Sequence, residues 1–202
     1  CWPEDCFGGG GGNGDTSCPT GYVRNASGTC VKDDPEPCDT GDEILDEPNV
    51  HNEFQDLWDS TNFGNETDPS PLDQRKETAA WIIQTSTGFE ARTLDENFIE
   101  RQDVCGIDYN GPVPENVVGL IHTHPYSVGT DLSSVCELEP DDDPIYRGEP
   151  SDADYDQAET NALQFDVGFQ NYILDANGIR SYSLINALTK THDDHELCGY
   201  EI

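Results

Sequence analysis

The sequence predicts a mixed α/β domain, a mixed β-sheet flanked by helices, with a Cys/Gly-rich N-terminal extension. Three observations predict it. Short apolar runs around Trp81-Ile82-Ile83, Val117-Val118-Gly119-Leu120-Ile121 and Phe169–Leu174 have the length and β-branched or aromatic content of strands. Ahead of them His51–Trp58 spaces its apolar residues helically, and between the second and third Asp152–Gln164 opens with a helix-start signal. Cysteine and glycine crowd the start of the chain, as in a tether rather than a core. A chain of 202 residues can build one ordinary domain plus an appendage, not two large cores. Residues 1–48 therefore read as tether and linker, and residues 49–202 as the domain.

Taken in order, Cys18-Pro19-Thr20-Gly21-Tyr22 to Gly28-Thr29-Cys30 reads as a miniature loop closed by one bridge, and Asp39–Pro48 as an acidic linker. His51–Trp58 is a short amphipathic helix, Asn62–Asp73 a polar loop, and Trp81–Gln84 the first core strand. Gly88-Phe89-Glu90-Ala91 begins the next strand, and Asp103–Glu115 is turn-rich. Val117–Ile121 is a buried strand. After the helix at Asp152–Gln164, Phe169–Leu174 and Ile179–Leu184 are two strands joined by the turn Asp175-Ala176-Asn177-Gly178. Thr191–Glu196 reads as a solvated turn or terminal helix before Cys198.

The chemistry concentrates at His122-Thr123-His124-Pro125 and Ser151-Asp152-Ala153-Asp154. Side chains alternate across a strand, so His122 and His124 project to one side and Thr123 to the other. Two imidazoles on one side can share a metal. Pro125 cannot donate a ladder hydrogen bond, so it ends the strand where the histidines are presented. Pro150-Ser151 supplies a hydroxyl cap that places Asp154 in the first turn of the following helix.

Over roughly residues 75 to 190 these motifs resemble the JAMM/MPN+ family of zinc metallopeptidases (JAB domains), whose pattern is a Glu, then His-x-His, then Ser-x-x-Asp. The resemblance implies a JAB/MPN-like fold with Zn2+ held by His122, His124 and Asp154, and a water in the fourth position. It places the general base on Glu77, with Glu90 as the nearest rival, and an oxyanion-stabilising hydroxyl on Ser151. Toxin-associated bacterial JAB-like domains are the nearest comparison. One departure stands out: the segment 126–149 is longer than the family's usual linker and reads as an acidic insertion. Two readings are open for it, a gate or selector beside the site and a solvated excursion tethered by a disulfide. Cys105 and Cys136 flank the histidine strand and are candidates to pin it. A second pair, His192 and His195, is read as part of a solvated turn rather than as a metal site.

Composition bounds the setting. With 42 Asp and Glu against 9 Lys and Arg, the formal charge of −33 repels nucleic acid and anionic headgroups. Eight cysteines argue for disulfides and an oxidising compartment, hence export. Neither Cys-x-x-Cys nor a Cys/His finger spacing occurs. The start at Cys1, followed by Gly8–Gly12, resembles a bacterial lipoprotein in which Cys1 carries the lipid. Pairing of Cys1 with Cys6, giving four bridges in a simply secreted protein, is the alternative. The leader is similar to those of Bacteroidetes surface lipoproteins. No run reaches the ~20 apolar residues that span a bilayer, so membrane attachment comes only through a lipid anchor or a partner. Asn25-Ala26-Ser27 and Asn65-Glu66-Thr67 fit the N-glycosylation pattern.

The functional expectation is an exported zinc metallohydrolase, at the outer membrane or cell surface or secreted, cleaving an amide or isopeptide bond of a peptide or protein substrate. The alternative is a catalytically silent JAB-like surface lipoprotein serving as an accessory of an outer-membrane protein complex. An acidic calcium-binding adhesin ranks last, since the acids lack an EF-hand pattern.

Overall fold

A computed structural model describes residues 22–24, 30–32, 40, 42–65, 68–137 and 143–195, the first two stretches as backbone. The chain divides into two compact units, Cys1–Glu36 and Pro37–Ile202. In the first, β1 (Tyr22–Arg24) and β2 (Cys30–Lys32) pair antiparallel, with Val23 opposite Val31. Cys1 and its expected lipid, the glycine run, the leader's disulfide pairing, Cys198 and the Asn25 glycosylation pattern lie outside the described residues.

The second unit opens with helix α1 (Pro48–Asp59), followed by a two-residue ladder of β3 (Gly64–Asn65) and β4 (Asp68–Pro69). Strands β5 (Ala79–Gln84), β6 (Phe89–Thr93), β7 (Ile99–Asp103), β8 (Gly106–Tyr109) and β9 (Val117–His124) come next. The chain then runs through helix α2 (Asp152–Gln164), strands β10 (Gln170–Asp175) and β11 (Gly178–Tyr182), helix α3 (Leu184–Thr189) and β12 (Asp193–His195). Six strands form one mixed sheet in the order β12-β11-β10-β9-β5-β6. Only β9 and β10 run parallel within it, and α2 lies on the connection between them, as a parallel pair requires a crossover.

One face of the sheet packs on α1. Pro48 starts that helix in its first turn, where a missing N–H is harmless, and Val50, Phe54, Leu57 and Trp58 fall on one buried stripe. They meet Ala80, Ile82, Ile121 and Leu174 in the main core. Ile44 and Leu45, in the stretch read as linker, join this core, so the apolar pair inside an acidic run is buried rather than solvated. The opposite face carries Ile173 and Tyr182 against Tyr155 and Ala158 of α2 and Ala187 of α3. Gly119 is required by close approach, because a Cβ there would lie 2.7 Å from the Gln170 carbonyl of the parallel neighbour.

Four segments differ from the sequence expectation. Within Asp103–Glu115 the turn residues join a hairpin, β7 with β8, whose short strands lack a clean alternation. Asn62–Asp73 contains the β3–β4 ladder and the start of a 3-10 turn at Leu72–Gln74. Asp193–His195 is an edge strand on β11, neither turn nor helix, and Leu184 begins α3 instead of ending a strand. Sheet pairing decides the three strand segments, and the Ser183–Asn186 capping box starts the helix. Among the described residues no helix is long and apolar enough to cross a membrane.

Candidate metal centre

Strand β9 continues through both histidines, and register sets their common direction. His122 lies opposite Ala79 on one side and Ile173 on the other, and His124 lies opposite Asp175. Thr123 points to the far face, where its amide donates to the Thr78 carbonyl at 2.9 Å and its Oγ1 accepts from the Thr78 amide at 2.9 Å. Beyond the strand, Arg75 Nη1 donates to the Pro125 carbonyl at 2.8 Å while its guanidinium lies 4.9 Å over the Phe63 ring. The turn after the histidines is thereby held to the β3–β4 region.

Glu77 stands two residues before β5, on the face shared with Ala79 and the histidines. Its amide donates to the Asp103 carbonyl at 2.7 Å, and Gln102 Nε2 donates to its carbonyl at 2.8 Å. Asp154 arrives from the first turn of α2 through a capping box. Ser151 Oγ accepts from the Asp154 amide at 3.2 Å, and the Ser151 amide and hydroxyl each donate to Asp154 Oδ2 at 2.7 Å. With Oδ2 engaged, Oδ1 faces His122 Nε2 at 3.0 Å. Ser151 is thus tied to Asp154, and service as an oxyanion donor requires its hydroxyl to turn.

The donor set fits a metal ion. His122 Nε2 and His124 Nε2 are 3.2 Å apart, Asp154 Oδ1 lies 3.0 Å from the first, and Asp154 Oδ2 lies 3.7 Å from the second. Ligands about 2.0–2.1 Å from a tetrahedral ion stand about 3.3 Å from one another, so the two edges that meet at His122 Nε2 have lengths suited to such a site. Glu77, His122 and His124 also form a group able to hold a metal. Glu77 Oε1 is 4.0 Å from His124 Nε2.

Burial governs the electrostatics. It pushes His124 down to about 3, with the nearby Asp154 opposing and His122 and Arg180 adding to the shift, so the imidazole is neutral, the form that ligates. Burial raises Asp154, but the two imidazoles and the Ser151 hydrogen bond outweigh it and hold the carboxylate below its ordinary range. For Glu77 burial dominates, joined by the charge of Asp154, and its carboxyl lies well above the usual range despite a 3.4 Å hydrogen bond from Tyr126. An open cavity of about 1290 Å³ lies over these residues, and Ala79, Trp81, Leu120 and Phe165 line its apolar part.

The insertion's described residues, 126–137 and 143–149, pack as one piece of the site's surroundings. Leu132 and Tyr146 donate backbone N–H groups to Pro144 and Thr130, and a Cys105–Cys136 disulfide ties the segment to the β7–β8 hairpin. Both of its buried tyrosines reach the centre. Tyr126 stacks on His124 with ring centroids 5.2 Å apart, and Tyr146 Oη lies 3.4 Å from His124 Nδ1. Tyr126, Tyr146, Asp175, Arg180 and Arg75 were not singled out from sequence. The signal was faint: two tyrosines bounding an otherwise acidic segment.

Register separates the rival residues from the centre. Glu90 sits opposite Ile83 and pairs with Arg92 at 2.7 Å, half-exposed. His195 Nε2 is 2.8 Å from Ser181 Oγ, and His192 lies against Asp194 and Tyr155. No protein-family model, curated protein or solved structure matches the chain.

Proposed function

We propose that the protein is a JAB-like zinc hydrolase that cleaves an amide or isopeptide bond in a peptide or protein. One observation carries this reading: the buried Glu77 carboxyl, His122 Nε2, His124 Nε2 and the Asp154 carboxylate converge on one point, with the edges at His122 Nε2, 3.2 and 3.0 Å, close to those of a tetrahedral site. Zinc held there supplies Lewis acidity, acidifies water to a pKa of about 7, and adds positive charge that favours the ionised form of Glu77. Asp154, braced by Ser151, and the neutral His124 hold their donor atoms on the ion. Glu77 Oε1 takes the proton of the attacking water and returns it to the leaving amine as the C–N bond breaks. The Ser151 hydroxyl, once turned from Asp154, donates to the oxyanion. The apolar lining beside the centre receives the substrate segment that flanks the scissile bond. We place the enzyme outside the cytoplasm, in keeping with its eight cysteines.

Elemental analysis of natively purified protein tests the reading. About one zinc per chain is expected, lost in His122→Ala with His124→Ala. Glu77→Gln should keep the zinc and lower amide cleavage by about 10²–10⁴-fold. Absence of metal from unchelated, folded wild type would defeat the proposal. Unchanged cleavage in Glu77→Gln would remove Glu77 from the mechanism.

A further inference from the structure

His124 has two ring nitrogens, and only an unprotonated Nε2 can bind a metal in the cavity. Its surroundings decide where the proton resides. At Nδ1 the neighbour is Tyr146 Oη, 3.4 Å away. That hydroxyl donates its own proton to Asp175 Oδ2 at 2.5 Å, which leaves the phenol oxygen free to accept. Asp175 is fully buried, and its other oxygen accepts from the Asn177 amide at 2.7 Å, the Gly178 amide at 3.0 Å and Arg180 Nη1 at 2.6 Å. With donors on every side, the carboxylate takes the Tyr146 proton and sets the direction of the chain. At Nε2 the carboxylate oxygens of Asp154 and Glu77 lie at 3.7 and 4.0 Å, beyond hydrogen-bond reach. The nearer Nε2 atom of His122 stands at 3.2 Å and carries the proton that faces Asp154 Oδ1 at 3.0 Å, so a second proton on His124 Nε2 would crowd it and find no acceptor there.

We infer that Tyr146 is a positioning residue, and that the relay His124–Tyr146–Asp175–Arg180 holds the His124 proton on Nδ1 and turns the Nε2 lone pair into the cavity. The insertion is then part of the metal centre. Its described residues reach the site, and Tyr146 supplies the hydrogen bond that orients a ligand. Asp175 serves twice, since the carboxylate that anchors Tyr146 also closes the β10–β11 turn. The relay itself is independent of the hydrolase reading, and only its consequence for zinc rests on that reading.

The test is 15N-edited NMR of the imidazoles in the full chain after metal is removed, with His124 assigned by its loss in His124→Gln. In the wild type His124 should carry its proton on Nδ1 alone. Tyr146→Phe, which keeps the ring packing against Tyr126, should release that preference and weaken zinc binding about 10–100-fold in a chelator competition. Tyr126→Phe should leave the tautomer unchanged. A wild-type His124 protonated on Nε2 overturns the inference without any variant, as does a Tyr146→Phe protein with the wild-type tautomer. The expected tautomer in a protein that binds no zinc supports the relay and defeats the hydrolase reading, so the two can fail separately.

Discussion

Glu77 is 5% exposed, between the Tyr126 hydroxyl and the Asp154 carboxylate, and its raised proton affinity in the metal-free fold has a consequence for stability. An unfolded Glu ionises near pH 4.3. In the fold the same carboxyl keeps its proton to higher pH, because burial first and Asp154 second disfavour the charge. The group's favourable contribution is therefore complete below about pH 4 and is lost as pH rises toward the folded value. Glu77→Gln should unfold at a higher temperature than wild type at pH 8 in chelator, and at the same temperature at pH 4. Calorimetry at both pH values checks this, and a variant less stable at pH 8 would contradict it. His122, His124, Ser151 and Asp154 were legible in the sequence because each lies in a short motif with local geometry: alternation along a strand, or a cap on a helix. Glu77 was reached through the resemblance, since a Glu ahead of a strand carries no local signature.

At the scale of elements, the segment 126–149 acts through its tether. The Cys105–Cys136 bond spans a sequence separation of 31 and joins the insertion to the β7–β8 hairpin. Val104, Tyr126 and Tyr146 form a buried cluster around it, packed against Leu132 and Val135. Loop-closure entropy for that length predicts a loss of about 3–4 kcal/mol when both cysteines become alanine. Denaturant unfolding with and without reductant measures it, and wild type should fall to the variant's stability when reduced. Equal midpoints in the two conditions would show that packing alone holds the insertion. The sequence marked both cysteines as candidates and left the insertion's role open between gate and acidic excursion. Its two tyrosines buried against His124 and Glu77 show a third arrangement, in which the insertion walls the site.

For the whole molecule, a formal charge of −33 spread over 202 residues is a self-repulsive load, with 42 acids against 9 Lys and Arg. Among the described residues, Arg92, Arg101, Arg147, Arg180 and Lys190 pair with acids, and most of these pairs are exposed and weak. Screening should therefore stabilise the fold. Raising NaCl from about 0.05 M, where charges interact over more than ~10 Å, to about 1 M, where they reach ~3 Å, should raise the melting temperature of the metal-free protein. A flat or falling melting curve series would show that favourable ion pairs outweigh the repulsion.

The sequence by itself determined the mixed α/β class, the helices at His51–Trp58 and Asp152–Gln164, the β9 and β10 strands, and a histidine pair on one side of a strand. All of these follow from periodicities and caps that operate within about a dozen residues. Only the tertiary structure decided the rest. Sheet order put β5 beside β9, which brings Glu77 to the histidines and leaves Glu90 away from them, and the crossover through α2 carried Asp154 to the same point. The β7–β8 hairpin, the edge strand at Asp193–His195 and the relay from Arg180 to His124 exist through pairings and burial between residues far apart in the chain. Such contacts leave no periodic trace, because each partner obeys its own local pattern and the energy of the pair appears only once the sheet has closed.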